Sequence, residues 1–354
     1  MSEQTTPGGD VAVDPTPSTG VTPGLDPKPS PVRRLLSGAA GRNLGLVLAL
    51  VLIVIVGAIT APDTFTTWSN TLTILRQASI IGVISVGMTF VIIAGGIDLS
   101  VGSVMGLASV VATLDATQSI AESSHWIVMV VFALAVGLAA GLVNGIVIAY
   151  GNVVAFMATL AMLVAARGLA EILAERRTLT IDSRDFINFF NADFLGVDIL
   201  IWIFAIVAVI GWVLLNRTTF GRRTVAIGGN REASRLAGIN VKRHTVYLYA
   251  LAGLSAGIAA VMILGRTTAG TSTHGQLYEL DAIAAVVVGG TLLVGGRGTI
   301  TGTVLGVLIF ATLSNVFVQN NLSSSVQAVA KGVIIIVAVL LQQRFARSSG
   351  RSSA

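Results

Sequence analysis

Long apolar runs separated by short polar intervals are the feature that most constrains how this chain can fold. A helix that crosses the hydrocarbon core of a bilayer needs ~20 apolar residues. Only 11% of the 354 residues are charged, against ~25% in soluble proteins. The sequence therefore predicts an all-α, polytopic transmembrane bundle of about ten spans, at residues 43–60, 72–93, 100–117, 126–149, 153–173, 198–215, 245–265, 281–295, 299–318 and 325–342.

The two ends of the chain differ in composition from this apolar part. Residues 1–42 contain seven of the eight prolines, mixed with Gly, Ser, Thr and Asp. Such a segment buries too little apolar surface to offset the entropy lost on ordering, so we expect a disordered cytoplasmic tail. The first apolar run starts only near Leu44, which does not fit a cleaved secretory signal. Residues 343–354 are expected to form a short cytoplasmic C-terminal tail.

The distribution of basic residues predicts the orientation of the bundle. Fifteen of the 22 Lys and Arg residues fall on the side shared by the N-terminal tail, the 216–244 loop, Arg297 and the C-terminal tail. Because loops rich in Lys and Arg stay inside the cell, both termini and the 216–244 loop are predicted to be cytoplasmic. The same clustering between apolar runs argues against nucleic-acid binding, despite a net charge of +5.

Several kinds of chemistry are not indicated. The chain has no cysteine, which excludes disulfides and thiolate metal ligands. The three histidines are far apart in the sequence, and we expect no metal site. No nucleophile–base pair is recognisable, so we predict no catalytic residues and do not favour a membrane-bound enzyme.

The long polar interval 216–244 contains the signature of a short helix. Asn230 is a suitable N-cap, Glu232 falls in the first turn, and Gly238 follows the last turn. A two-turn helix is barely stable alone, so we expect it to dock against another protein. The residues predicted for this joint are Gly228, Asn230, Glu232, Ala233, Ser234, Leu236 and Gly238.

Two polar breaks interrupt the apolar runs. A carboxylate at the bilayer centre costs ~2.5–3.5 kcal/mol, so Asp98 needs a partner or water. Asp98 or Ser100 could cap the next helix, line a cavity, or do both. In the second break, residues 281–318 could form a broken or re-entrant pair. We predict a translocation path that includes Asp98, Ser100, Asn144, Glu279, Asp281 and Asn315.

Other polar and small residues in the spans allow more than one interpretation. Asn144 and Asn315, like Thr89 and Thr159, could line a path or form interhelical hydrogen bonds. Arg167 and Glu171, one turn apart, are expected to neutralise each other. Glycines that recur every fourth residue permit close helix packing, within one subunit or between subunits: Gly137, Gly141, Gly145; Gly298, Gly302, Gly306; Gly102, Gly106; Gly253, Gly257.

The chain contains no recognisable means of capturing energy. The phosphate-binding pattern GxxxxGK[ST] is impossible, because the three lysines are followed by Pro, Arg and Gly. The spans also lack the series of Asp, Glu and His residues expected of a proton-driven carrier. A pore subunit driven by a separate ATPase therefore explains the exposed helix better than an ion-coupled symporter does. We expect no cofactor in this chain, with ATP and Mg²⁺ bound by the partner.

Three stretches resemble the membrane-spanning permease subunit of bacterial sugar ABC importers, of the ribose/xylose/galactoside branch and most like the ribose permease type. The resemblance covers residues 43–342. Glu232-Ala233-Ser234 with Gly238 resembles the first half of the EAA-x-x-x-G motif, by which such permeases dock on their ATPase. The stretches are GMTFVIIAGGIDLSVGS (87–103), GRRTVAIGGNREASRLAGINV (221–241) and YELDAIAAVVVGGTLLVGGRGTITGTVLG (278–306).

This resemblance implies a location in the bacterial plasma membrane and a set of partners. The expected partners are an ATP-binding subunit, an extracytoplasmic sugar-binding protein and a second permease, identical or a close paralogue. The expected cargo is a ribose-like pentose or a related sugar or polyol. An ABC permease for nucleosides or amino acids remains the nearest alternative, and a secondary symporter a more distant one.

Overall fold

The computed structural model describes residues 39–334 and Ile336, and nearly all regular structure in this part is helical. The tails predicted for residues 1–42 and 343–354 therefore lie outside the described residues, except for 39–42. In chain order the helices are α1 (Ala39–Thr60), α2 (Pro62–Phe65), α3 (Trp68–Ile93), α4 (Val101–Ala112), α5 (Asp115–Ser123), α6 (Ile127–Ala149), α7 (Ala155–Leu173), α8 (Arg184–Phe190), α9 (Ile199–Arg217), α10 (Thr219–Gly229), α11 (Arg231–Leu236), α12 (Val241–Thr267), α13 (Tyr278–Val288) and α14 (Ile300–Gln319).

The remaining regular structure is small. Residues 324–334 are helical too. Four two-residue strands form two antiparallel pairs on the loops, β1 (Leu179–Thr180) with β4 (Ala269–Gly270) and β2 (Asp193–Phe194) with β3 (Val197–Asp198). The prediction of an all-helical polytopic bundle is confirmed.

Among the described residues, seven helices are long and apolar enough to cross a membrane: α1, α3, α6, α7, α9, α12 and α14. The α4–α5 pair, bent by 55°, brings the number to eight if the pair counts as one span. The run predicted at 281–295 is helical only in α13, which ends at Val288. Gly289 and Gly290 end the helix, and Gly290 has a φ of +90° that disfavours any other residue. This segment is therefore a broken element rather than a full-length span helix.

The centre of the bundle is formed by α3 and α12, which pack against α4, α6 and α14. Small residues make the closest of these contacts possible. A Cβ at Gly137, Gly141 or Gly145 of α6 would collide with the backbone of α12, at Gly253, Tyr249 and Val246 respectively. The glycine series of α6 therefore packs within one subunit.

Two short helices begin in the middle of the bundle, and this arrangement positions the candidate site. The non-helical residues 94–100 lead into α4, and the loop 271–277 leads into α13. A Cβ at Gly102 would collide with the carbonyl oxygen of Gly275 and with Oε2 of Glu279. The first turns of α4 and α13 therefore lie against each other.

Candidate functional site

The helix predicted within the polar interval is present as α11, with the predicted caps. The side chain of Asn230 accepts a hydrogen bond from the backbone N–H of Ala233 at 2.9 Å. Gly238 has a φ of +81°, the left-handed conformation expected after a helix end. Glu232 pairs with Arg235 at 3.0 Å rather than standing alone.

The surface of α11 is divided between an exposed apolar side and a single buried residue. Leu236 is 81% exposed, and Ala233 and Ala237 are exposed as well. Leu236 and the two alanines give α11 a small exposed apolar surface. Ser234, in contrast, is buried. Its role is therefore to hold α11 against the rest of the chain.

Helix α10, which we did not predict, joins α11 to the bundle. Thr218 caps it, because its side chain accepts from the N–H of Gly221. At the other end, Gly228 lies so close to the carbonyl oxygen of Ile93 that no side chain would fit. The N–H of Gly296 also donates to that oxygen, at 2.7 Å. The end of α3, the 289–299 segment and the α10–α11 region thus meet at one point.

The first polar break contains a compact hydrogen-bonded cluster. Asp98 is buried, and its Oδ1 accepts from both the N–H (2.9 Å) and the hydroxyl (2.6 Å) of Ser100. Asn144 donates to the same hydroxyl at 2.9 Å. Asp98 therefore caps the turn before α4, whereas Ser100 makes no side-chain cap bond. Tyr249 and Thr159 both donate to the carbonyl of Ile97, at 3.3 and 3.4 Å.

The second break brings Glu279 next to a positive charge from another helix. Arg167 donates hydrogen bonds from Nη1 to the carbonyl oxygens of Ser272 and of His274, the latter at 2.9 Å. It also interacts electrostatically with Glu279 and with Glu171. The expected interaction of Arg167 with Glu171 is therefore present as an electrostatic one, without a direct ion-pair contact among the described side chains. Glu171 pairs instead with Arg176, at 3.2 Å.

The other predicted path residues lie in separate interactions. Asp281 forms an ion pair with Lys331 at 3.1 Å, which gives this lysine a partner that the sequence did not reveal. Asn315 exchanges two hydrogen bonds with Asn70, at 3.0 and 2.8 Å. The structure thus brings Asp98, Ser100 and Asn144 together. Glu279 lies beside Gly102, two residues after Ser100. Asp281 and Asn315 are not part of this group.

Sequence reasoning missed the loop 271–277 as part of the site. His274 approaches Ser109 of α4, with 3.1 Å between Nδ1 and Oγ. Burial, and then the positive charge of Arg167, lower the pKa of His274 to about 4. The only signal in the sequence was Arg167, a charge within an apolar run that must find a partner. Among the described residues, no group of three His, Asp or Glu side chains could hold a metal ion.

Comparisons with known proteins give consistent results. A family profile described as branched-chain amino acid transport system / permease component matches residues 70–340. Ribose import permease protein RbsC of Haemophilus influenzae is 39% identical over 297 residues, 83% of this chain and 90% of the relative. The Bacillus subtilis protein of the same name is 41% identical over 305 residues, 86% and 93% of the two chains.

A third relative carries a different sugar in its name. The L-arabinose ABC transporter permease protein AraH of Azospirillum brasilense is 34% identical over 300 residues, 84% of this chain and 87% of the relative. No solved structure matches the chain significantly.

Proposed function

The chain belongs to the family of branched-chain amino acid transport system / permease components, and from this we propose that it forms the membrane path of an ATP-driven monosaccharide importer. The cargo we propose is a ribose-like pentose or a related sugar or polyol. The observation that carries this proposal is the pair of relatives named ribose import permease, which match at 39% and 41% identity over 90% and 93% of their lengths.

As a permease, the chain is a transport component rather than an enzyme. Import permeases of this family lie in the inner membrane, and the seven apolar helices of this chain fit that location. The family description names amino acids, so an amino acid is the second candidate cargo. The relatives named for ribose and arabinose favour a sugar over it.

Energy for transport would come from a separate ATP-binding subunit that docks on α11. Three features support this assignment. The sequence has no phosphate-binding loop, Leu236 and its neighbouring alanines are exposed, and α10 connects α11 to the end of α3 and to the 289–299 segment. A push on α11 would therefore reach both broken elements of the bundle. ATP and Mg²⁺ would be held by the partner.

We also propose that the chain crosses the membrane ten times, with both ends in the cytoplasm. Seven long helices and the α4–α5 pair give eight crossings. Helix α13 with the non-helical residues 289–299 would give the ninth, and the helix that starts at residue 324 the tenth. An even number places both ends on one side, and the Lys and Arg bias favours the cytoplasm.

The complete importer we envisage contains two permeases, identical or closely related, two ATP-binding domains and an extracytoplasmic sugar-binding protein. The binding protein would set the affinity for the sugar and deliver it. The permease would alternate between states open to one side at a time.

The docking surface can be tested with charge and backbone changes on α11. We expect Glu232→Lys to weaken co-purification of the ATPase at least about tenfold, or about 1.4 kcal/mol, and to abolish sugar uptake. Gly238→Pro should do the same, because proline cannot adopt the φ of +81° found there. Glu175→Lys, an equally exposed charge reversal on the loop after α7, is the matched control.

Membrane insertion should be unchanged in all three variants. Normal ATPase binding together with normal uptake in both α11 variants would overturn the docking assignment. Uptake by this chain alone in liposomes, abolished by an ion uncoupler, would instead favour a symporter.

A further inference from the structure

A cavity of about 340 Å³ lies beside the point where α4 and α13 begin. Its volume is at the lower end of the range for small-molecule sites, ~300–1,000 Å³. Ser103, Ser272 and Glu279 line its buried part, while Thr273 and Gln276 are exposed at its edge. The lining thus comes from α4, α7, α13 and the 271–277 loop. The exposure of these residues increases from the buried floor of the cavity to its open edge.

The cavity wall carries charges of both signs. Arg167 and Glu171 of α7 lie one turn apart on its wall, and Glu279 faces it from α13. One nitrogen of Arg167 is held by two loop carbonyl groups. Because a guanidinium has five N–H groups, at least three remain for other acceptors. The wall therefore offers both hydrogen-bond donors and strong acceptors.

Glu279 is not fully satisfied by the protein. Glu279 is only 7% exposed, and its Oε2 has no hydrogen-bond partner among the described residues. Buried carboxylate oxygens nearly always have a partner, because leaving one unpaired costs free energy. Gly102 has no side chain, and this is what makes room for Oε2. The absence of a side chain at Gly102 thus leaves space for the carboxylate of Glu279, and its Oε2 remains available to accept a hydrogen bond from a ligand.

We propose that this cavity is a transient binding site for a neutral sugar or polyol during its passage through the chain. Glu279 accepts hydrogen bonds from hydroxyl groups of the ligand, and Arg167 donates to a ring or hydroxyl oxygen. Ser103, Ser272 and Gln276 complete the polar surroundings. This inference rests on the proposed function and adds to it a place where the cargo is held.

The composition of the lining favours a polyol over an amino acid. Sugar hydroxyls both donate and accept, and the hydroxyl, amide, guanidinium and carboxylate groups of the wall match that pattern. A branched-chain amino acid would need an apolar pocket for its side chain. Leu163 and Leu277 are the only apolar side chains among the residues that line the cavity, and Leu277 lies at the edge, 58% exposed.

Binding here should be weak, which suits a site along a path. None of the residues that line the cavity is aromatic, so the ligand gains no stacking on a ring face. A site that held the sugar tightly would slow its release. High affinity belongs instead to the binding protein proposed above.

Cysteine protection tests the site directly, because the sequence contains no cysteine. Thr273→Cys places a thiol at the exposed edge of the cavity, and Ser124→Cys places one at an exposed position after α5 that does not line it. Both variants would be assembled with the ATPase in lipid nanodiscs. They would then be labelled with a small methanethiosulfonate in the presence of D-ribose, L-arabinose or L-leucine.

We expect one of the two sugars to slow labelling of Thr273→Cys about fivefold near saturation, with no effect on Ser124→Cys. If neither sugar slows it while the complete importer still takes up sugar, the site is wrong and the proposed function stands. Protection by L-leucine alone would overturn the sugar assignment. Absence of sugar uptake by the complete wild-type importer would overturn the proposed function itself.

A second variant separates binding from folding. Glu279→Gln keeps the shape of the side chain but removes the charge. It should weaken sugar binding about tenfold, so that the fivefold slowing of Thr273→Cys labelling falls to about 1.4-fold at the same sugar concentration. Glu122→Gln, an exposed residue of α5 that lies outside the cavity, should leave the protection unchanged. Full protection in Glu279→Gln, with normal assembly and ATP hydrolysis, would remove Glu279 from the site.

Discussion

Two groups of long apolar helices in this chain have opposite surroundings. An 18-residue stretch of α1 has a mean hydropathy of 2.7 with only 6% of its residues buried, and the corresponding stretch of α9, at 2.6, has 22% buried. The stretch of α3, at 1.7, has 89% of its residues buried, and that of α12, at 2.0, has 83% buried. The most apolar helices are therefore the most exposed within the chain.

This order is the reverse of that in a soluble protein, and lipid explains it. A helix surrounded by hydrocarbon tails must be apolar on every side, because no polar partner is available there. A helix at the centre is surrounded by protein, so it can carry serine, threonine and asparagine that pair with neighbours. Helix α7 departs from the trend, with a mean hydropathy of 1.7 and 22% buried, because Arg167 and Glu171 line the cavity.

The sharpest test of this comparison is a bulky substitution in each group. Gly137→Leu in α6 would drive a side chain into the backbone of α12, 2.8 Å from the nitrogen of Gly257. Backbone cannot move aside as a side chain can, so we expect a loss of about 3 kcal/mol or more in the free energy of unfolding. Thermal stability and yield in detergent would show it.

The matched control lies on the exposed side. Gly45 of α1 has nothing within 4 Å of where a Cβ would be, so Gly45→Leu should be neutral or stabilising by about 0.5–1 kcal/mol. Equal losses in the two variants would mean that α1 is covered by protein and not by lipid.

A smaller effect is expected from the polar pairs of the central group. Asn315→Leu removes both hydrogen bonds to Asn70 and leaves its amide with fewer partners. Interhelical hydrogen bonds of this kind contribute about 1–2 kcal/mol. The loss would be measured by thermal unfolding in detergent.

The double variant Asn70→Leu/Asn315→Leu should cost less than the sum of the single ones, because neither asparagine is then left facing a leucine in place of its amide partner. Asn216→Leu, at the exposed end of α9, should change stability by less than about 0.5 kcal/mol. Strict additivity of the two central changes would argue that the pair contributes nothing.

A pH-dependent effect is expected at the loop 271–277, which packs against the central helices. His274 has a pKa lowered to about 4, so the folded state binds fewer protons than the unfolded state between about pH 6.5 and 4. The stability that the protein gains from keeping His274 neutral is complete above about pH 6.5, and it declines as the pH falls towards 4. Unfolding followed over this range should show the decline.

His274→Gln should flatten this part of the profile, whereas His125→Gln, at an exposed position, should leave it unchanged. An unaltered slope in His274→Gln would mean that another group titrates there.

Much of the fold followed from the sequence, for a physical reason. Eight of the predicted runs correspond to α1, α3, α4–α5, α6, α7, α9, α12 and α14, because hydrocarbon requires length and low polarity whatever the neighbours are. The caps of α11 were also predictable, since Asn230 and Gly238 act on the backbone within a few residues. Helix α10 was missed, because its amphipathic pattern is short and contains three glycines and two arginines.

The candidate site was predicted less completely. Asp98 and Ser100 are neighbours in the sequence, so their joint role in a turn could be inferred, and Glu279 was recognised as a carboxylate near a break. The partners Arg167, Lys331 and the 271–277 loop could not be predicted, because each lies far along the chain from the carboxylate that it meets.

By itself the sequence determined that the chain lies in a membrane, which of its segments are long and apolar enough to cross it, and where a short capped helix is exposed. These properties depend on local composition and on the solvent around each segment. Only the tertiary structure decided which spans form the centre, that Gly102 makes room for Glu279, and that two half-helices begin at one cavity. Those facts depend on contacts between distant residues, and hydropathy carries no information about which apolar surface faces another.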